Sequence, residues 1–244
     1  MGLPVITVPK YKLTIPSTNK EVSFRPFLVK EEKILLIAME SDDEEQMTTA
    51  IKNIIGNCVD NTLDIESMPM FDIEYIFLQL RSKSKGEMVD MSFECDKCKK
   101  QIPVQIDLST INIQRTEGHT NKIPLSDDVG VMMSYPSMQI QKTIKQDQTD
   151  VENIFNTISS CIESIWDKET VYSTKDHTRE ELDKFLESLP DNSFTKIQKF
   201  FDTIPVLKHT FELKCTNKNG KSKKASMCGW KSEKTLEGLG SFFV

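Results

Sequence analysis

Glycine is scarce in this chain, nine in 244 residues, against a usual frequency of about 7%. Neither a G-x-x-x-x-G-K-[ST] nor a G-x-G-x-x-G pattern occurs, so no phosphate-cradling loop or dinucleotide fold is expected. Histidine is scarcer still. His119, His177 and His209 are dispersed, and none has a Ser or Cys partner at a spacing that suggests a triad. Long apolar runs are missing. The longest, Ile34-Leu35-Leu36-Ile37-Ala38-Met39, falls far short of the roughly 18 residues of a membrane span. An excess of basic charge is missing too. Thirty-one Lys and Arg stand against 37 Asp and Glu, a net charge of −6, which argues against a phosphate-dominated nucleic-acid binder. The opening Met1-Gly2-Leu3-Pro4 leads into polar, Pro-containing chain, so no secretory signal is expected. Ile6 stands where a myristoylation motif wants Ser or Thr. These absences point to a soluble intracellular protein with no recognisable catalytic motif.

What remains is an ordinary globular composition, 38% hydrophobic and 28% charged, long enough to bury a real core. Tyr11, Leu13 and Ile15 alternate, Pro16 to Lys20 supplies turn chemistry, and Val22 and Phe24 alternate again, which predicts a β-hairpin. A helix follows Pro26 and ends near Ser41. Met47, Ile51, Ile54, Ile55 and Cys58 form one helical stripe, with Asp42 and Asp43 available as caps. A third helix is expected from about Met70 to Arg81. The period then changes to two: Val89, Met91, Phe93 and Cys95 alternate, as do Ile102, Val104, Ile106 and Leu108. Residues 109–147 are polar and weakly patterned, with short apolar clusters at 129–133 and room for a short helix after Pro136, and read as a linker-like, irregular insertion.

The second half runs similarly. Val151, Ile154, Phe155, Ile158, Ile162, Ile165 and Trp166 predict one helix. Thr178-Arg179-Glu180-Glu181 matches a capping box before Leu182, Phe185, Leu186 and Leu189. Ser193 offers a cap for a helix stopped by Pro205, and His209, Phe211, Leu213 and Cys215 alternate as a strand. The expected fold is helix-rich α+β, with two helical units each followed by a β-hairpin and the two hairpins forming a zinc-ribbon-like module. The expected segments are 1–108, 109–147 and 148–244, together one compact unit.

Six cysteines in an intracellular chain read first as thiols or metal ligands. Cys58 and Cys161 lie on apolar helical faces and read as small buried hydrophobes. Cys95-x-x-Cys98 on a tight turn can bring two thiolates to one Zn²⁺, and a closed structural site needs four ligands. Cys215 and Cys228, each at the end of a strand-like segment, are the candidates for the other two. Their spacing is far longer than the two to four residues or so of a compact knuckle, but a hairpin could reunite them, and Cys228-Gly229-Trp230 has the look of a knuckle exit. Redox chemistry and unligated thiols are the alternatives. Redox use is disfavoured because the pair joins two strands and does not open a helix. Four thiolates would leave no open position on the metal for catalysis.

Two further segments stand out. In Phe24-Arg25-Pro26-Phe27-Leu28-Val29-Lys30-Glu31-Glu32-Lys33, Arg25 and Lys30 flank an apolar knob at Phe27, which either docks on a partner or anchors the chain to its own core. The end of the sequence, Leu236-Glu237-Gly238-Leu239-Gly240-Ser241-Phe242-Phe243-Val244, either packs back or offers a partner anchor through Leu239, Phe242 and Phe243. The lysine cluster Lys218, Lys221, Lys223 and Lys224 reads as a solvated loop tip. Contact with nucleic acid there is the basis of the alternative reading, a zinc-ribbon nucleic-acid-binding regulator.

Arg25 to Lys33, Cys161-Ile162-Glu163-Ser164-Ile165, the cysteine-bearing strands and the Leu236 to Phe243 tail together resemble the baseplate protein family of T4-like contractile-tailed bacteriophages. The resemblance is weakest across 109–147. It implies a late viral protein made in the host cytoplasm that helps build the tail baseplate hub, as a hub subunit or as a hub-assembly protein. The partners it implies are other baseplate hub subunits, and it implies no catalytic site, no membrane and no small-molecule substrate.

Overall fold

The computed structural model describes residues 6–41, 43–60, 63–141, 148–217 and 227–242. The first hairpin forms as expected, β1 (Tyr11–Thr14) pairing antiparallel with β2 (Glu21–Phe24). Two helices follow, α1 (Val29–Ser41) and α2 (Glu44–Cys58). Asp43 caps α2 by accepting the Glu45 and Gln46 N–H groups, which satisfies donors that the first turn leaves without a partner. Asp42, the other expected cap, lies outside the described residues. Then come α3 (Met70–Lys85), β3 (Met88–Glu94), β4 (Gln101–Asp107) and the short β5 (Ile113–Gln114).

The chain continues through β6 (Lys122–Pro124), β7 (Gly130–Met133), α4 (Met138–Gln141), α5 (Asp150–Cys161), β8 (Ile162–Trp166) and β9 (Val171–Ser173). It then forms α6 (Arg179–Glu187), α7 (Asp191–Thr203), β10 (Val206–Lys214) and β11 (Lys231–Glu237). A 3-10 turn over Leu239–Phe242 follows. The α+β expectation holds. Helices α1 to α3 lead into the β3–β4 hairpin, and α5 to α7 lead into β10–β11.

These elements form two compact units. The first comprises Met1–Leu63, Phe71–Gln114 and Val206–Val244, the second Asp64–Met70 and Arg115–Pro205. In the first unit, β10 pairs with β11 over seven residues and, at its beginning, with β5. Leu78 of α3 packs with Val89, Met91, Ile106, Leu108, Leu207, Leu236 and Phe242 in one buried cluster. Phe242 is 1% exposed, so the apolar tail is core as far as it is described. Phe243 lies outside the described residues, and Leu239 is half-buried.

The Arg25 segment is also built into its own unit. The Glu31 side chain is fully buried and takes a hydrogen bond from Arg25 Nη2 at 3.0 Å and another from the Leu28 N–H at 2.9 Å. Arg25 also donates to the carbonyls of Pro26 and Asn57. Burial works against the Glu31 charge, but Arg25 and the Leu28 N–H outweigh it and hold the pKa below the ordinary carboxyl value. The pair closes the corner where β2 turns into α1 and ties it to the end of α2.

The second unit carries a four-stranded antiparallel sheet, β6-β7-β8-β9. Strands β6 and β7 fall within the polar stretch read as irregular, β7 on its apolar cluster at 129–133, and α4 stands at the place of the short helix expected after Pro136. The expected single helix through Val151 to Trp166 ends at Cys161. Ile162 turns extended (φ −77°, ψ 118°) and the chain runs directly into β8, paired with β7 on one side and β9 on the other. Apolar spacing there follows the helical period, and sheet pairing overrode it. Ser193 is no cap: α7 starts at Asp191, and the Ser193 hydroxyl donates to the Leu125 carbonyl. The capping box at Thr178 and Glu181 is present as read.

Removing one partner of a buried ion pair costs about 3–5 kcal/mol. Arg25→Ala is therefore expected to lower the unfolding free energy by that order in urea denaturation at pH 7. Because the folded-state pKa of Glu31 is depressed, the pair stabilises above the unfolded carboxyl pKa, and the difference between wild type and variant should shrink as pH falls through the carboxyl range.

Candidate metal centre

The β3–β4 hairpin turns through Cys95 to Lys100. Cys95 N donates to the Lys100 carbonyl and Lys99 N to the Cys95 carbonyl, with Lys99 in the left-handed region at φ 57°. At the matching end of the other hairpin, Lys214 pairs with Lys231. The ladder continues outward as Cys215 N bonds to the Trp230 carbonyl and Cys228 N to the Asn217 carbonyl, with Gly229 at φ 66°. Each hairpin thus presents two sulfurs, and in each the second cysteine is followed by a left-handed residue. That conformation is open to glycine at no steric cost and costs Lys99 roughly 1–2 kcal/mol.

The four sulfurs of Cys95, Cys98, Cys215 and Cys228 all lie within 4.8 Å of one another. Cys95 Sγ is 3.8 Å from Cys228 Sγ, and Cys98 Sγ is 3.6 Å from Cys215 Sγ. A disulfide would need about 2.05 Å, so neither pair is bonded. Tetrahedral thiolates on zinc at about 2.3 Å would stand about 3.8 Å apart, which matches the two cross-hairpin distances. Cys95, Cys215 and Cys228 are buried and Cys98 is half-buried, beside Ile102, Leu213, Phe93, Phe211 and Trp230.

Burial works against a Cys95 thiolate, but the N–H groups of Cys98 and Lys97 and the neighbouring thiols outweigh it and bring its pKa down to about 7. Cys98 receives the Lys100 N–H yet is held up at about 11 by burial and the other three sulfurs. Four sulfurs this close cannot all ionise cheaply unless a cation sits among them, and a divalent ion with a preference for thiolate fits the donor set. All four positions of a tetrahedral ion would be taken by sulfur, so the site is suited to holding two hairpins together.

Asn217, which the sequence reading passed over, completes the surroundings. Its Nδ2 donates to Cys215 Sγ at 3.4 Å and to the Gln101 carbonyl at 3.1 Å, linking the two hairpins beside the sulfurs. Its position two residues after a candidate ligand was the available signal. Among the other expected site residues, Arg25 and Phe27 belong to their own unit's interior, and the Lys30 side chain is 67% exposed. The lysines at 218, 221, 223 and 224 lie outside the described residues. None of the three histidines joins the cluster. His119 is held between Thr203 and Tyr135, with its ring stacked on Phe200.

A family model described as T4 bacteriophage base plate protein matches residues 8–244. The chain belongs to this family of phage baseplate proteins. No curated protein and no solved structure gave a significant match.

Cys58 and Cys161 are buried apart from the cluster, and burial pushes their pKa values up to about 11 and about 12. Iodoacetamide at pH 8 is therefore expected to leave both unmodified in the native protein and to label both after denaturation. Peptide mass spectrometry reads the difference.

Proposed function

We propose that this protein acts without catalysis in building the baseplate hub of a contractile phage tail, as a hub subunit or a hub-assembly factor, through contacts with other hub proteins. The observation that carries the reading is the baseplate family match over residues 8–244. The four-cysteine cluster agrees with it, since its chemistry is that of a structural staple. In this reading Cys95, Cys98, Cys215 and Cys228 hold one Zn²⁺, and the two hairpins form a ribbon whose stability comes largely from the metal. Small β modules bury little apolar surface, and zinc binding adds on the order of 10 kcal/mol of folding free energy in zinc-finger peptides. The work takes place in the host cytoplasm during tail assembly, with residence in the baseplate if the protein is a subunit.

Quantitative mass spectrometry of purified particles and of infected-cell lysate tests the role. A fixed copy number per particle identifies a hub subunit, and abundance in lysate with absence from particles identifies an assembly factor. Equal presence in lysates of a mutant blocked elsewhere in tail assembly, with no association to any hub protein, would refute both. For the metal, the purified chain is expected to carry one zinc by elemental analysis. Strong chelation or Cys95→Ser should lower the thermal midpoint and lose β signal while helical circular dichroism persists. Unchanged thermal stability after complete zinc removal would contradict the staple.

A further inference from the structure

Helix α1 buries only one narrow stripe, Glu31, Leu35 and Ala38. On the side roughly 180° away, at 3.6 residues per turn, lie Val29, Lys33, Leu36, Ile37 and Glu40. Val29 is 80% exposed, Leu36 52% and Ile37 54%, and Lys33 and Glu40 are exposed beside them. Ile34 and Met39, on the flanks, are also open to solvent. A helix that is apolar nearly all round is ordinarily covered on more than one side, and a contiguous exposed apolar face marks an interaction surface.

The charges on this face are ordered along the helix. Lys33 stands near its beginning and Glu40 near its end. The last turn holds no basic residue, so the negative end of the helix dipole meets Glu40 in place of a compensating cation. Among the described residues neither Lys33 nor Glu40 has an ion-pair partner.

We propose that this face docks on a second copy of the chain, α1 against α1, antiparallel about a two-fold axis passing between Leu36 and Ile37. In that register Lys33 of each copy comes opposite Glu40 of the other. Leu36 and Ile37 of each copy meet their counterparts on the two sides of the axis. Each copy supplies, in Lys33, the cation that the other's helix end lacks, and the two dipoles oppose. The pattern is self-complementary, as an isologous interface must be. A helix of 13 residues spans roughly 20 Å, less than the standard interface of about 800 Å² per partner needs. The dimer is therefore reversible and concentration-dependent, and its charged pairs set register and are weakened by salt.

Sedimentation of the full chain over a concentration series tests this. The wild type should show a monomer–dimer equilibrium that weakens with salt. K33E and E40K should each weaken association about tenfold or more by placing like charges opposite one another. An equimolar mixture of K33E and E40K should associate again, because each then offers the charge the other lacks, and L36E should leave monomer. Circular dichroism of each variant confirms that it is folded. A wild type that stays monomeric at every concentration overturns the proposal, even if α1 binds another hub protein. A dimer indifferent to L36E, or a variant mixture that fails to associate, overturns it as well.

Discussion

The placement of four sulfurs within one small volume is the constraint on which the first unit turns. Two of them sit on a turn that the chain makes early, and their counterparts lie 117 and 133 residues further on. For the pairs to meet, β10 and β11 must keep their register to the end and then continue as an irregular ladder through Cys215 and Cys228. The turn at Lys99 must accept a conformation that its side chain disfavours. An isolated hairpin is marginal in water. Here the two hairpins share Phe93, Phe211, Leu213 and Ile102 behind the sulfurs, so each gains a hydrophobic wall from the other.

Legibility followed from how much of each element's reason was local. The first hairpin, the β3 and β4 alternation and the Thr178–Glu181 capping box were readable because side chains a few residues apart determine them. The cysteine set was readable in spite of its spacing, because thiol chemistry limits what four such residues can do and Gly229 marks the turn that brings the last one back. The change from α5 to β8 was not readable. Ile158, Ile162 and Ile165 continue a helical stripe, and the strand is revealed by its pairing with β9 and with β7, the latter formed from the short apolar cluster at 129–133. Ser193 had the chemistry of a cap, yet its hydroxyl serves a carbonyl that is distant in sequence, Leu125.

The Arg25 segment shows the same limit from the other side. Its charged and aromatic residues looked available for a partner, and two of them are spent within the unit, Arg25 on buried Glu31 and Phe27 in the core. The chain end, for which packing back was one of two readings, takes that course at Phe242, buried in one cluster with Leu78, Leu108 and Leu236. Exposed apolar residues are found on α1, in the longest apolar run of the sequence. Which apolar residues a protein keeps for itself is decided by topology, and a one-dimensional pattern carries that information only in part.

The first unit is assembled from three stretches of chain, and the second occupies most of the sequence between the second and third of them. A ribosome emits these stretches in order. The second unit's main segment, Arg115–Pro205, is complete while β10, β11 and two of the four cysteines are still to be made. Until then the nascent β3–β4 turn holds Cys95 and Cys98 without their counterparts, and the cluster around Leu78 lacks Leu207, Leu236 and Phe242. The residues that close the first unit are thus made only after the second unit's main segment, and a chain cut short at Pro205 would leave the first unit open however well the second had folded.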